Sequence, residues 1–409
     1  MNTENMEVIA AQHEAEVAAL EAKMEAERGQ MKYRAVYSAV TFYGHSIGLI
    51  KSLMQKSLRR REAGTMKWCV NQMLLFKKHA IPNRDHEVSL AKALETNCIN
   101  RLLIMAEEEL VFTEVGVYLR IRDLVDAYYK SNEDAYGMRD KSRLFEICDL
   151  LCSAKLCRIA SDAANYGICS YTGRNSDENV RVEWIAKIKA KTYAESVEYI
   201  AQFDGYRFDT HGAQLNQMLM HVAYVFLNER EEKLTQRLFN RTEPVYLLWD
   251  TMIRNLDAKR DNRMLVRAMK TRLQEFFRKD RSERKFFLYN AVLLYLYPRR
   301  CLNFEAKIDA EKYRLADMPE GDIEIPDYAI DMHTSEGRRL GKNTLDFAKD
   351  GSFVVDECVD YVFLEWREFY HEIKAKDAEK AEAEKKNKPS QKKRKAEKEA
   401  EKEEAEEEA

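Results

Sequence analysis

Between Tyr33 and about Arg300, apolar residues recur at steps of three and four, the spacing that gathers them on one face of an α-helix. Glu87 to Leu110 shows this most clearly, with Leu90, Leu94, Ile99, Leu102 and Leu103 on the inward side. Met66 to Ile81 has the same pattern and stops at Pro82, because proline disfavours helical backbone in the residue before it. Asp85 is placed to N-cap the helix that follows. Helical periods continue over Asp140 to Asn165, Val182 to Gln202, Ala213 to Asn228, Pro244 to Leu256, Asp261 to Arg278 and Ser282 to Tyr297. Pro244 sits at a first-turn position and Pro298 acts as a stop. Breaks at Tyr166 to Asn179 and Phe203 to Gly212 carry glycines and polar residues but are short for flexible linkers. Together these predict an all-α helical array of about ten helices, with a divergent solenoid left open by helical pairs of about forty residues.

The two ends differ in texture. Residues 1–32 are rich in Ala and Glu, with Val17, Leu20 and Met24 at coiled-coil-like spacing, which predicts one charged helix with a thin stripe for a partner. Residues 33–300 form the helical body. Residues 301–373 read as an irregular wrap followed by a docking helix at about Phe353 to Ile373, whose apolar face includes Val355, Val359, Val362, Phe363 and Trp366. Residues 374–409 hold twelve basic and twelve acidic residues with no aliphatic larger than Ala, so they are expected to be a disordered charged tail.

Composition narrows the function without naming it. The chain has 409 residues, 45% of them hydrophobic, enough for a sizeable core. Six prolines and fourteen glycines are few, which disfavours sandwiches, barrels and loop-rich βαβ folds. Lys and Arg number 67 against 70 Asp and Glu, so a charge-driven partner needs a local patch. Eight scattered cysteines and no basic-then-apolar leader suggest a reducing compartment, nucleus or cytoplasm. The longest apolar runs are about half the ~20 residues that span a bilayer, so no membrane partner is expected.

Candidate chemistry is sparse. Cys148, Cys152 and Cys157 suit a helical face better than a zinc knuckle and read as core thiols. Asp209, His211 and His221 lack a converging metal-ligand spacing. Glu107, Glu108 and Glu109 point to different sides of one helix, and a solvated edge is the expectation. The tract Gly337 to Thr344 resembles a phosphate loop but is one residue short, has Asn343 where a hydroxyl binds metal, and follows no apolar strand. No catalytic residue, metal or cofactor is assigned, and the chain reads as a non-enzyme. A pocket gathering His333 with His211 or His221 and a carboxylate would argue otherwise.

Charge offers more. Ile253 to Phe287 holds twelve Lys and Arg against five Asp and Glu. Arg263, Arg267 and Lys270 fall on one side of a helix whose other side carries Val266, Met269, Leu273 and Phe276, so the helix can dock and still show a basic stripe to nucleic-acid backbone, or merely to solvent. Lys56, Arg59, Arg60 and Arg61 form a second cluster open to the same two readings. In the tail, Lys385, Lys386, Lys392, Lys393, Arg394 and Lys395 surround Pro389 in a run of the kind read by nuclear import receptors, or simply a solvating tail.

The tract from Ile325 to Lys342, IPDYAIDMHTSEGRRLGK, resembles the C-terminal segment of clamp-loader-related AAA+ ATPases of the replication-associated recombination group, where a helical oligomerisation collar follows the motor. Asn100 to Leu110, NRLLIMAEEEL, is similar to a helix of that collar. The resemblance implies a collar without its ATPase domain, since the chain has no Walker motifs, and so a partnership with DNA and with protein subunits, either a homo-oligomer or an ATPase subunit. His333, Gly337 and Gly341 carry over as the shared tract, and Arg338, Arg339 and Lys342 would supply charge to a backbone phosphate while the glycines allow close approach. The expected function is thus a non-catalytic DNA replication and recombination accessory protein. The alternative is a helical structural scaffold or interaction protein with no nucleic-acid role. Acidic helices interleaving the basic tracts would favour the second.

Overall fold

The computed structural model describes residues 40–79 except 42, 85–158 except 135 and 136, 237–257, 263–279, 281–301, 317–343 and 346–358, with a few isolated positions between. The protein is all-α: among the described residues there is no strand, only single bridges such as Leu110 with Leu156. The main helices are α1 (Ile47–Arg59), α2 (Ala63–His79), α3 (Asp85–Glu109), α4 (Val115–Lys130), α5 (Ser142–Ser153), α6 (Val245–Asp257), α7 (Arg263–Arg278) and α8 (Arg281–Leu296). The expected N-terminal helix, the helices at Val182 to Gln202 and Ala213 to Asn228, His211 and His221, and the tail with its basic run lie outside the described residues, isolated positions aside.

Apolar periodicity explains the packing. Two hydrophobic clusters form, one among α1, α2, α3 and α5, the other among α6, α7 and α8. The wall between them is α4, which gives Val115, Tyr118 and Leu119 to the second cluster and Val117, Ile121, Leu124 and Val125 to the first. The expected inward residues of α3, Leu90, Leu94, Ile99, Leu102 and Leu103, are all buried. So are Val266, Met269, Leu273 and Phe276 of α7. Cys69, Cys98, Cys148, Cys152, Cys157 and Cys301 are buried too, and burial pushes the Cys98 and Cys152 thiols up to about 12, which makes them core residues.

Three boundaries depart from the sequence expectation. Asp85 is the first residue of α3 and not its cap. The helix expected to run from Asp140 to Asn165 ends at Ser153, because the Arg61 guanidinium donates to the carbonyls of Cys152 (2.9 Å) and Ala154, satisfying groups that another turn would have taken up. The chain then turns back beside α3, where the Val111 amide donates to the Lys155 carbonyl at 3.0 Å and the Cys157 amide to the Glu109 carbonyl at 2.7 Å. The docking helix expected from Phe353 does not begin there: the Val355 and Cys358 amides instead donate to the carbonyls of Arg59 and Leu156, both at 2.8 Å. Its remainder lies outside the described residues.

The irregular C-terminal wrap is a strap laid over α1 and α2. Trp68 donates its indole N–H to the Gly321 carbonyl at 2.8 Å, and Ser52 donates to the Ala329 carbonyl at 2.8 Å. Lys56, 2% exposed, reaches the Asp331 carboxylate at 2.6 Å. Arg60 lies 3.9 Å over the Tyr328 ring. The Lys56 to Arg61 cluster is therefore not a solvated face presented to nucleic-acid backbone: its cations fasten strap and helix ends to the body.

Candidate functional site

Where the strap crosses α1 and α3, the described residues enclose a pocket of about 460 Å³, within the size range of small-molecule sites. One face of α1 supplies Gly48, Lys51, Ser52, Gln55 and Arg59, at the three-and-four spacing of a helical stripe. Two turns apart on α3, Arg101 and Glu108 face the same space. Arg158 enters from the segment after α5 and Phe286 from α8, while the strap contributes Asp331, His333, Thr334 and Phe347.

The polar groups are ordered by bonds behind the pocket wall. Gln55 donates to Glu108 at 2.6 Å and to Glu109 at 3.0 Å, and accepts from Arg101. Arg59, 2% exposed, donates from Nε to Glu109 at 2.9 Å and from its Nη1 to the Gly351 carbonyl. Burial pushes the Glu109 carboxyl up, but Arg59 and Arg158 together with hydrogen bonds from Arg59 and Gln55 outweigh it and hold its pKa below the usual carboxylate range. Glu108 goes the other way: burial raises its pKa, and the neighbouring Glu109 adds to the rise against Arg101. Burial also lowers the pKa of Lys51, with Arg101 lowering it further against the smaller opposing pull of the Glu283 carboxylate of α8, and among the described residues Lys51 forms no ion pair. The Arg101 Nε is buried without a hydrogen-bond acceptor among the described residues.

The strap side is held by local packing. Thr334 caps a short helix, α9 (Ser335–Arg339), accepting from the Gly337 amide at 3.0 Å and donating to the Asp331 carbonyl at 2.8 Å. A Cβ on Gly337 would lie 1.8 Å from that carbonyl oxygen, so only glycine fits. Gly341 ends α9 with φ +73: its amide donates to Arg338 and the Lys342 amide to Gly337, the paired bonds of a Schellman turn. The close approach that the glycines were expected to give a phosphate or partner is, at Gly337, an approach of the chain to itself, while Gly341 faces open space and serves its positive φ. The exposed His333 ring meets Phe347 edge-on at 5.1 Å.

The residues expected at a DNA backbone are not gathered. Arg263, Arg267 and Lys270 are exposed on α7, but Arg267 pairs with Asp123 of α4 at 2.6 Å. Arg338 and Arg339 are exposed on α9, with Arg339 3.6 Å from Glu336. The first tract belongs to the α6–α8 cluster and the second to the strap beside α1. Glu107, Glu108 and Glu109 do point to different sides, but not as a solvated edge: Glu107 and Glu109 are fully buried. Glu107 accepts from Arg272 at 3.1 Å and from Asn290 at 2.6 Å, tying α3 to α7 and α8.

No family model, no curated protein and no solved structure matches this chain. The DNA backbone and the protein subunits expected as partners, whether copies of this chain or an ATPase, find no support, and the basic tracts expected to meet DNA are split between two parts of the fold. Among the described residues no helix is long and apolar enough to cross a membrane. Nor is there among them a group of three or more His, Cys, Asp or Glu able to hold a metal ion.

Sequence reasoning did not single out Lys51, Gln55, Phe286 or Phe347. The polar stripe of α1 is visible in the sequence, but its facing residues come from elements fifty to nearly three hundred positions away.

Proposed function

We propose that this protein is a non-catalytic helical scaffold with no nucleic-acid role, a framework that keeps its helices and strap in fixed register. The observation carrying this reading is the pairing of its basic residues with carboxylates of other elements. Arg272 of α7 meets Glu107 of α3, and Arg122 of α4 meets Glu275 of α7 at 2.9 Å, both pairs buried. Arg59 of α1 meets Glu109 of α3, and Lys56 meets Asp331 of the strap. Cations used in this way serve cohesion, and among the described residues the exposed Arg267 and Arg339 also lie beside acidic residues, Asp123 and Glu336. The collar likeness of Ile325 to Lys342 enters this reading only as an inference about architecture, an all-α layer without a motor.

The test is a salt series of labelled single- and double-stranded DNA with the full chain. The scaffold reading expects no salt-dependent complex near roughly 100 mM salt. A complex whose affinity falls steeply with salt overturns it.

A further inference from the structure

We propose that the pocket between α1, α3 and the strap is a binding site for a small phosphate monoester carrying a flat ring, with Lys51 and Arg101 taking the phosphate. Its lining holds four cations against two carboxylates, and counting Lys56 and Glu109, which pair with Asp331 and Arg59 behind it, leaves two positive charges in excess. That excess matches the roughly −1.5 to −2 charge of a phosphate monoester near pH 7. Guanidinium forks and a lysine ammonium converging from separate elements suit an oxyanion with three acceptor oxygens.

Desolvation sharpens the match. Lys51 is half-buried without an ion-pair partner among the described residues, and the Arg101 Nε is buried with its donor unused. Donors already partly stripped of water bind an anion at a smaller further desolvation cost, and an unmet buried donor is itself unfavourable. The site is also held open before any ligand arrives, since Gln55 fixes Arg101 and Asp331 is pinned by Lys56. The cavity of about 460 Å³ is far larger than a phosphate group. Phe286 and Phe347 line it together with the cations, which provides faces for the ester's organic part. Gly48 lines it from α1, and a Cβ there would meet nothing closer than 4.0 Å, so a larger side chain can project without disturbing the helix.

The experiment is isothermal titration calorimetry of the full chain with phenyl phosphate, benzoate, phenol and inorganic phosphate. Phenyl phosphate is expected to bind at least about tenfold more tightly than benzoate or inorganic phosphate, with no heat from phenol. Arg101→Gln and Lys51→Met should each weaken it about tenfold or more, the fold-change of losing one hydrogen bond to a charged group. Gly48→Leu should abolish binding while leaving the circular dichroism unchanged and the melting temperature no lower, since leucine is a better helix former than glycine, so loss of the site is separable from loss of the fold. Benzoate binding as tightly as phenyl phosphate would overturn the phosphate assignment. Absence of binding by all four at millimolar concentration, or affinity unaffected by both cation variants and by Gly48→Leu, would overturn the site.

Discussion

Three successive glutamates, Glu107, Glu108 and Glu109, meet three surroundings: Arg272 with Asn290, the pocket, and Arg59. Successive side chains on a helix are about 100° apart, so one turn of α3 reaches three neighbours. Removing the Glu109 charge would leave Arg59 buried and unpaired, and Glu109→Gln is expected to cost about 3–5 kcal/mol in urea unfolding at pH 7. Because the folded pKa of Glu109 is depressed, its contribution is complete above the ordinary carboxylate range and is lost as pH falls through the folded value. The stability gap between wild type and Glu109→Gln should therefore be widest near neutral pH and close as the pH falls well below about 4.3. A gap that stayed constant would show that the carboxylate charge is not its source. Gly337 and Gly341 separate two causes of glycine dependence. Gly337→Ala drives a Cβ into the Asp331 carbonyl and should cost about 1–3 kcal/mol as the strap shifts. At Gly341 there is open space but φ is +73, so Gly341→Ala should cost only the left-handed penalty of about 1–2 kcal/mol. Gly341→Asn should recover part of that loss, and equal unfolding midpoints for Ala and Asn there would contradict the conformational account.

At the scale of elements, the end of α5 and the path of the strap are decided by side chains from α1 and from the turn that follows it. Arg61 itself sits at φ 64, an uncommon conformation for a residue with a Cβ, and is held there while its guanidinium binds the carbonyls of Cys152 in α5 and of Ala154 just beyond it. Arg61→Met keeps the stem but removes those donors. It should expose the 153–158 turn, read as faster amide exchange at Val111 and Cys157 than at α2, whose bonds it leaves intact. Unchanged exchange would mean that the bridge between Leu110 and Leu156 holds the turn without Arg61. Most helices were legible in the sequence. Their apolar stripes and the prolines at 82, 244 and 298 place α2, α3, α6, α7 and α8 to within a few residues, because a helix that buries one face must repeat at three and four. The end of α5 was not legible, since nothing in its own residues announces the Arg61 that stops it.

For the molecule as a whole, the buried Glu107–Arg272 pair links the two hydrophobic clusters across α3 and α7. Arg272→Met alone leaves a buried carboxylate without its cation and should destabilise by about 3–5 kcal/mol in urea unfolding. Adding Glu107→Leu should restore much of that loss, because a well-packed apolar pair can replace a buried ion pair at little net cost. Failure of the second change to recover stability would mean that Asn290 and Tyr118, which also face Glu107, depend on the carboxylate.

The sequence by itself determined the class of fold, the inward faces of α3 and α7 and the burial of Cys148, Cys152 and Cys157, because those follow from local periodicity and from the cost of exposing apolar surface. It also showed the basic residues and the glycines of the 325–342 tract, but not what they touch. Only the tertiary structure decided that Lys56, Arg59, Arg61 and Arg272 meet buried oxygens, that Gly337 packs on Asp331, and that Lys51 and Arg101 share a pocket with Phe286 and Phe347. A charge in a sequence carries no sign of its surroundings: whether it is solvated, paired or turned into a cavity depends on residues brought beside it from far along the chain, and that is settled only when the helices pack.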